Sequence, residues 1–199
     1  MIAKKIIRLA MAATAVSFAQ FATAEGLYVV GSIGLPSTNK TKSDLDAAIK
    51  AAGANTVNSS LKMGTAMDGA LGYELNKNLA IEGGYFDSGT ATYTVTALGG
   101  NISVDFKNTV MRLAVVGSLP VSDQLTFFGK LGYAAATTDV GAIRVNNTAV
   151  EPASSSKENK IAFGIGARYA FTDKFSARIS WESMPADVSS ILLGVQLNF

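Results

Sequence analysis

Segments of about ten residues in which apolar and polar side chains alternate recur along this chain, and that is the length a tilted strand needs to cross a membrane. The last segment is the plainest. From Ser190 to Phe199, Ile191, Leu193, Val195, Leu197 and Phe199 share one parity, and Gly194, Gln196 and Asn198 share the other. This is the period of a strand whose two faces meet different surroundings. The same period predicts strands over residues 25–35, 61–75, 79–87, 109–119, 125–137, 161–171 and 175–184, eight in all with the last. In 109–119, Met111, Leu113, Val115 and Leu119 oppose Arg112, Ala114 and Ser118; in 161–171, Ile161, Phe163, Ile165, Tyr169 and Phe171 oppose Ala162, Gly164, Gly166 and Arg168. Pro36 is expected to end the first strand, because proline cannot donate to a ladder.

The connections alternate in length. Polar loops are expected at residues 36–60, 88–103 and 139–157, with tight turns at 76–78, 120–124 and 172–174 and a connection of intermediate length at 185–189. The rhythm predicts an all-β, eight-stranded antiparallel up-and-down transmembrane β-barrel, both termini on the periplasmic side with the short turns. Closure leaves no edge strand, which a sheet in lipid cannot tolerate. Inside the first long loop a short helix is expected. Ser43 is placed to cap it, Asp46 falls at its third position, Gly53 offers a stop, and Leu45, Ala48, Ile49 and Ala52 form its apolar side. Asp44 and Asp46 match no calcium-loop spacing, and capping accounts for both.

Two kinds of barrel alternate in this way. A soluble one fills its interior with large apolar side chains and shows polar ones to water. Here the bulky faces carry Leu, Ile, Phe, Tyr and Val. The opposite faces carry Gly, Ala and Ser mixed with Asp68, Glu74, Glu82, Arg112, Lys130, Arg168, Arg178 and Glu182. A narrow eight-stranded barrel has room for small and charged residues inside. An Arg or Lys facing lipid at mid-membrane costs roughly 2–4 kcal/mol, and the parity of all four bases turns them inward. Four inward acids balance them, so an ion-paired lumen is expected. It reads either as a structural plug or as a narrow conduction path. Tyr73, Tyr85, Phe127, Tyr133, Tyr169, Phe171, Phe175, Trp181 and Phe199 lie at strand ends, as interfacial girdles do.

The first 24 residues stand apart. Lys4, Lys5 and Arg8 precede an apolar run from Leu9 to Phe18, and Ala22-Thr23-Ala24 forms a small-residue cleavage site. A secretory signal peptide is expected at 1–24, with the barrel domain at 25–199. Its removal takes the formal charge from +2 to −1, which removes the main support for a nucleic-acid partner. The 199 residues contain no Cys and no His, so thiolate chemistry is excluded and triad or zinc chemistry loses its commonest participant. No catalytic, cofactor-binding or metal residue is assigned.

Leu27-Tyr-Val-Val-Gly-Ser-Ile-Gly34, Ile81-Glu-Gly-Gly-Tyr85, Lys130-Leu-Gly-Tyr133 and Ile165-Gly-Ala-Arg-Tyr-Ala-Phe-Thr-Asp-Lys-Phe-Ser-Ala-Arg178 resemble the transmembrane domain of outer membrane protein A and its opacity-type relatives. The likeness covers residues 25–199. It implies a non-enzymatic structural barrel in the bacterial outer membrane, surrounded by lipid. It further implies a C-terminal strand ending in Phe199 that the barrel-assembly machinery reads. The family's inward acid on the third strand matches Glu82 and its inward base on the seventh matches Arg178. Relatives often carry an acid where this chain has Arg168, so their pairing scheme does not transfer whole. Asp105 and Lys107 fall on the outward parity, so at the fourth strand either the barrel protrudes or a bulge shifts the register. The peptidoglycan-binding domain of the full-length family protein is not expected, and a monomer is. Relatives act as structural proteins and adhesins, so an extracellular ligand is expected at the loops; the alternative is a low-conductance porin for small solutes. Barrel enzymes acting on lipid or peptide resemble His-dependent catalysts, which this chain cannot be.

Overall fold

A computed structural model of the chain describes residues 26–38, 42–51, 58–97 and 100–199. The segment 1–24 and the expected helix stop at Gly53, with Ala52 before it, lie outside the described residues. Eleven strands and one helix follow in order: β1 Leu27–Thr38, α1 Lys42–Ala51, β2 Asn58–Lys62, β3 Ala66–Asn76, β4 Leu79–Ala97, β5 Gly100–Pro120, β6 Leu125–Val140, β7 Ile143–Val145, β8 Thr148–Glu151, β9 Ser154–Ala170, β10 Phe175–Met184 and β11 Val188–Asn198. Eight of them, β1, β3, β4, β5, β6, β9, β10 and β11, pair antiparallel with their neighbours in chain order, and β11 pairs back onto β1. The ring is the expected up-and-down barrel, with β2, β7 and β8 added beyond it.

Period two sorts the wall. On β11, Val188, Ser190, Leu192 and Gln196 are buried while Ile191, Leu193, Val195 and Leu197 are exposed. Of the expected girdle residues, Tyr73, Tyr85, Phe127, Tyr133, Tyr169, Phe171, Phe175 and Trp181 are exposed, and Phe199 is half-buried. The short turns gather at one end. At two of them a hydroxyl closes the turn: Ser122 Oγ accepts from the Leu125 amide (3.0 Å) and Thr172 Oγ1 from the Phe175 amide (3.1 Å), a side-chain substitute for a backbone turn bond.

Four expectations are corrected here. Pro36 does not end β1; it pairs with Ser190 inside the strand. The β1–β3 pairing stops at Gly34, so Pro36 sits at an edge where no donor is required. The stretch 61–75 is two strands, broken at Met63-Gly-Thr65. The expected loop 88–103 is mostly strand, because β4 and β5 continue as a hairpin about 30 Å beyond the barrel. Likewise 139–157 holds the β7–β8 hairpin, whose two-residue turn places Asn146 and Asn147 at φ 48 and 69, a conformation Asn tolerates.

At the fourth barrel strand, β5, the protrusion holds: the strand runs on past the barrel in unbroken phase, and the bulge belongs to its neighbour. The bulge lies on β4, between Asp87 and Thr90. Gly89 adopts φ +68, and its amide donates to Asp87 Oδ1 (2.9 Å). β5 keeps its phase, so Lys107 stays outward and meets Asp87 at 2.9 Å, and Asp105 accepts from Thr92.

Past the bulge, Tyr93 and Val95 turn onto the face covered by Leu45 of α1, Leu61, Ile102, Val104 and Phe106, a small core of its own. Ser43 lies inside α1 and not at its cap. Asp46 does not cap either. Its carboxylate accepts from Lys42 Nζ (2.8 Å), Ser59 Oγ (2.5 Å) and Tyr93 Oη (2.6 Å), pinning the helix to β2 and β4. These bonds, that of Lys42 first, hold the Asp46 carboxyl well below the usual range. Burial, then the bond to Asp46, pushes the Tyr93 phenol up to about 12. A raised phenol stabilises docking fully below its ordinary value, and the benefit is lost as pH rises through about 12; the lowered carboxyl loses its benefit only in strong acid. Docking of α1 is therefore expected to be constant across neutral pH. Tyr93→Phe is expected to speed amide exchange in residues 42–51 roughly tenfold; unchanged exchange contradicts the pin.

Candidate functional site

The lumen is layered, and β3, β4, β5 and β6 each contribute to all three layers in sequence. On β3, Ala70, Asp68 and Ala66 follow one another inward-facing; on β4, Ala80, Glu82 and Phe86; on β5, Val116, Arg112 and Val110; on β6, Phe128, Lys130 and Ala134. The first of each set belongs to an apolar cluster with Tyr28 and Val30, on the side of the short turns. The last belongs to a second apolar cluster with Ala136, Ala162, Met184, Val188 and Leu192. The charged residues lie between the two.

Glu82, 1% exposed, is the hub. Its carboxylate accepts from Lys130 Nζ (2.6 Å), Arg178 Nη1 (3.1 Å) and Tyr28 Oη (3.2 Å), and Arg112 Nη2 stands 4.0 Å away. Lys130 also donates to Glu182 Oε1 (2.7 Å). Lys130 on β6 and Glu182 on β10 are separated by β9, and both are paired with Gly164 there. A Cβ at that position would stand 2.9 Å from Glu182 Cγ, so glycine is what lets the two side chains meet. Arg112 grips Asp68 with two parallel bonds of 2.6 and 2.9 Å, the geometry in which guanidinium is strongest. Its Nε, 3.5 Å from Glu182 Oε2, is the one fully buried side-chain nitrogen or oxygen without a hydrogen bond among the described residues.

Arg178 and Arg168 are directly opposed on β10 and β9, an arrangement that repels. They diverge. Arg178 points to Glu82 and Gln196 Oε1 (3.2 Å), with the Phe128 ring 4.4 Å from its guanidinium. Arg168 turns to the barrel end and bonds Glu74 at 3.0 Å. All eight charged residues expected inward are thus paired inside or at the rim.

The expected filling of Gly, Ala and Ser between the charges needs a correction. Phe86, Phe128, Tyr28, Leu192 and Val110 are also buried inside, because a wall of small residues and ion pairs leaves volume to fill. Their inward parity was the available signal. Phe128 fits because Gly166 faces it: a Cβ there would lie 2.4 Å from the ring. Among the described residues no group of three Asp or Glu side chains is arranged to hold a metal ion.

The profile of the outer membrane protein beta-barrel domain matches residues 8–199. The fold is similar to the N-terminal β-barrel domain of OprF from Pseudomonas aeruginosa (15% identity, 88% of this chain and 98% of that one, TM-score 0.52). It is similar as well to the outer membrane protein OprG of the same organism (11% identity, 88% and 96%, TM-score 0.50). The attachment invasion locus protein Ail of Yersinia pestis also matches (17% identity, 88% and 100%, TM-score 0.47). No curated protein sequence matches the chain.

Proposed function

Because the chain belongs to the outer membrane protein beta-barrel domain family and resides in the lipid of the bacterial outer membrane, we propose that it is a non-enzymatic structural barrel whose lumen is plugged by ion pairs and whose outer projections recognise an extracellular surface or ligand. The supporting observation is the neutral network of Asp68, Glu82, Glu182, Arg112, Lys130 and Arg178, buried between two apolar layers. Every base in it is spent on an acid, which favours a plug over a low-conductance pore for small solutes. The projecting β4–β5 hairpin, stiffened by α1 and extended by β7 and β8, offers the recognition surface. In this reading residues 1–24 are removed on export and residues 25–199 form the mature monomer. The strand ending at Phe199 serves the barrel-assembly machinery. Phe199 sits beside the closure, where its amide donates to Leu27 O (3.0 Å).

Replacing residues 91–106 by an Asn-Gly turn tests the recognition reading. The shortened protein is expected to keep heat-modifiable gel mobility and to lose adherence to host-cell surfaces when displayed on a non-adherent bacterium. Adherence equal to that of the intact protein contradicts it.

A further inference from the structure

A cavity of about 480 Å³ opens at the outer mouth, between α1, the projecting hairpin and the barrel rim. That volume suits a small molecule. Leu45, Leu61, Met63, Phe106 and Val140 line its apolar side, each only partly covered by protein. Ser88, Asn108 and Thr138 also line it and form a hydrogen-bonded polar strip. On the inward parity these three stand two residues beyond Phe86, Val110 and Ala136 of the outer apolar layer, so the cavity has an apolar floor.

The polar strip is mostly self-satisfied. Ser88 Oγ donates to Gly89 O and accepts from the Asn108 amide, and Thr138 Oγ1 donates to Asn108 Oδ1 (2.6 Å). One group is left over. Asn108 is 8% exposed, and its Nδ2 has no hydrogen-bond partner among the described residues, although it is not sealed from the cavity. A donor so placed, in a cavity that also presents Leu45, Leu61, Met63, Phe106 and Val140, suits a molecule that brings one acceptor and an apolar body. The rim carries both signs of charge, Lys157 and Asp187, and Glu158 is engaged by Lys160 and the Ala186 amide (2.7 Å).

We infer that the mouth cavity binds a small neutral amphiphile, an alkyl chain ending in an ester or amide carbonyl, with that carbonyl accepting from Asn108 Nδ2 and the chain lying against Leu61, Met63 and Phe106. The inference deepens the recognition reading and rests on it. The probe is methyl octanoate, with sodium octanoate and octane for comparison, titrated onto the protein in phospholipid nanodiscs and corrected for empty discs. Saturable binding of the ester is expected, at least about tenfold tighter than that of the carboxylate or the alkane. Asn108→Leu keeps the volume and is expected to weaken the ester about tenfold, and Leu61→Trp, which fills the chamber, to abolish binding. Gel mobility verifies that each variant is folded. Ester uptake that never saturates, or that neither substitution changes, overturns the inference. If the ester fails while excision of 91–106 still abolishes adherence, only the cavity assignment falls; if adherence also survives excision, both readings fall.

Discussion

Glu82→Ala is expected to lower barrel stability by about 3–5 kcal/mol, the cost of breaking a buried ion pair by removing one partner. Glu82 is the shared acceptor of Lys130, Arg178 and Tyr28. Without it the inner network holds three bases and two acids in a space closed by apolar layers on both sides. Lys130 retains Glu182, and Arg178 retains only Gln196 and the Phe128 ring, so the uncompensated charge falls mainly on Arg178. Pairing Glu82→Ala with Arg178→Met removes both partners, and part of the loss is expected to return. Urea unfolding of the protein in lipid vesicles, followed by gel mobility, measures both. A Glu82→Ala barrel as resistant as the wild type contradicts the hub, and a double variant no better than the single one contradicts the Arg178 assignment.

Leu193→Arg is expected to cost roughly 2–4 kcal/mol and to impair insertion, because it places a cation on the lipid face near mid-wall. Leu193 is 61% exposed and paired with Ile33 on β1 and Ile179 on β10, themselves 59% and 52% exposed. In a water-soluble protein an Arg at so exposed a site would be close to neutral. Arg178 neighbours Ile179 in sequence yet is 5% exposed, so one residue of phase separates a paired lumen base from a lipid-facing one. The same urea titration reads the loss, and a Leu193→Arg barrel that inserts and unfolds like the wild type refutes the assignment of the outer wall.

Much of this was legible in period two, because each barrel strand meets two contrasting surroundings. The strand over 175–184 was delimited correctly since Thr172-Asp-Lys174 and Pro185 punctuate both ends. The projecting hairpin was not. Its stretch of Gly, Thr and Asn reads as loop, and the bulge at Ser88-Gly89 reverses the phase of β4, so the alternation restarts on the opposite parity. The break between β2 and β3 depends on a distant contact: Gly64 lies against Thr90, where a Cβ would stand 2.7 Å from the Thr90 amide nitrogen. Asp46 misled for a similar reason, since a local capping role was visible and its bonds to Ser59 and Tyr93 were not. In the lumen, parity identified every charged participant. Which acid meets which base depends on lateral strand order, register and the open position at Gly164, none of which local pattern contains.

The plug is the central claim, and single-channel recording tests it most directly. Residues 25–199, refolded and verified by heat-modifiable mobility, are to be inserted in a planar bilayer. The ion-paired lumen predicts a folded barrel that stays electrically silent. Reproducible conductance steps that change when Lys130 is neutralised would contradict it and make the network a selectivity device instead.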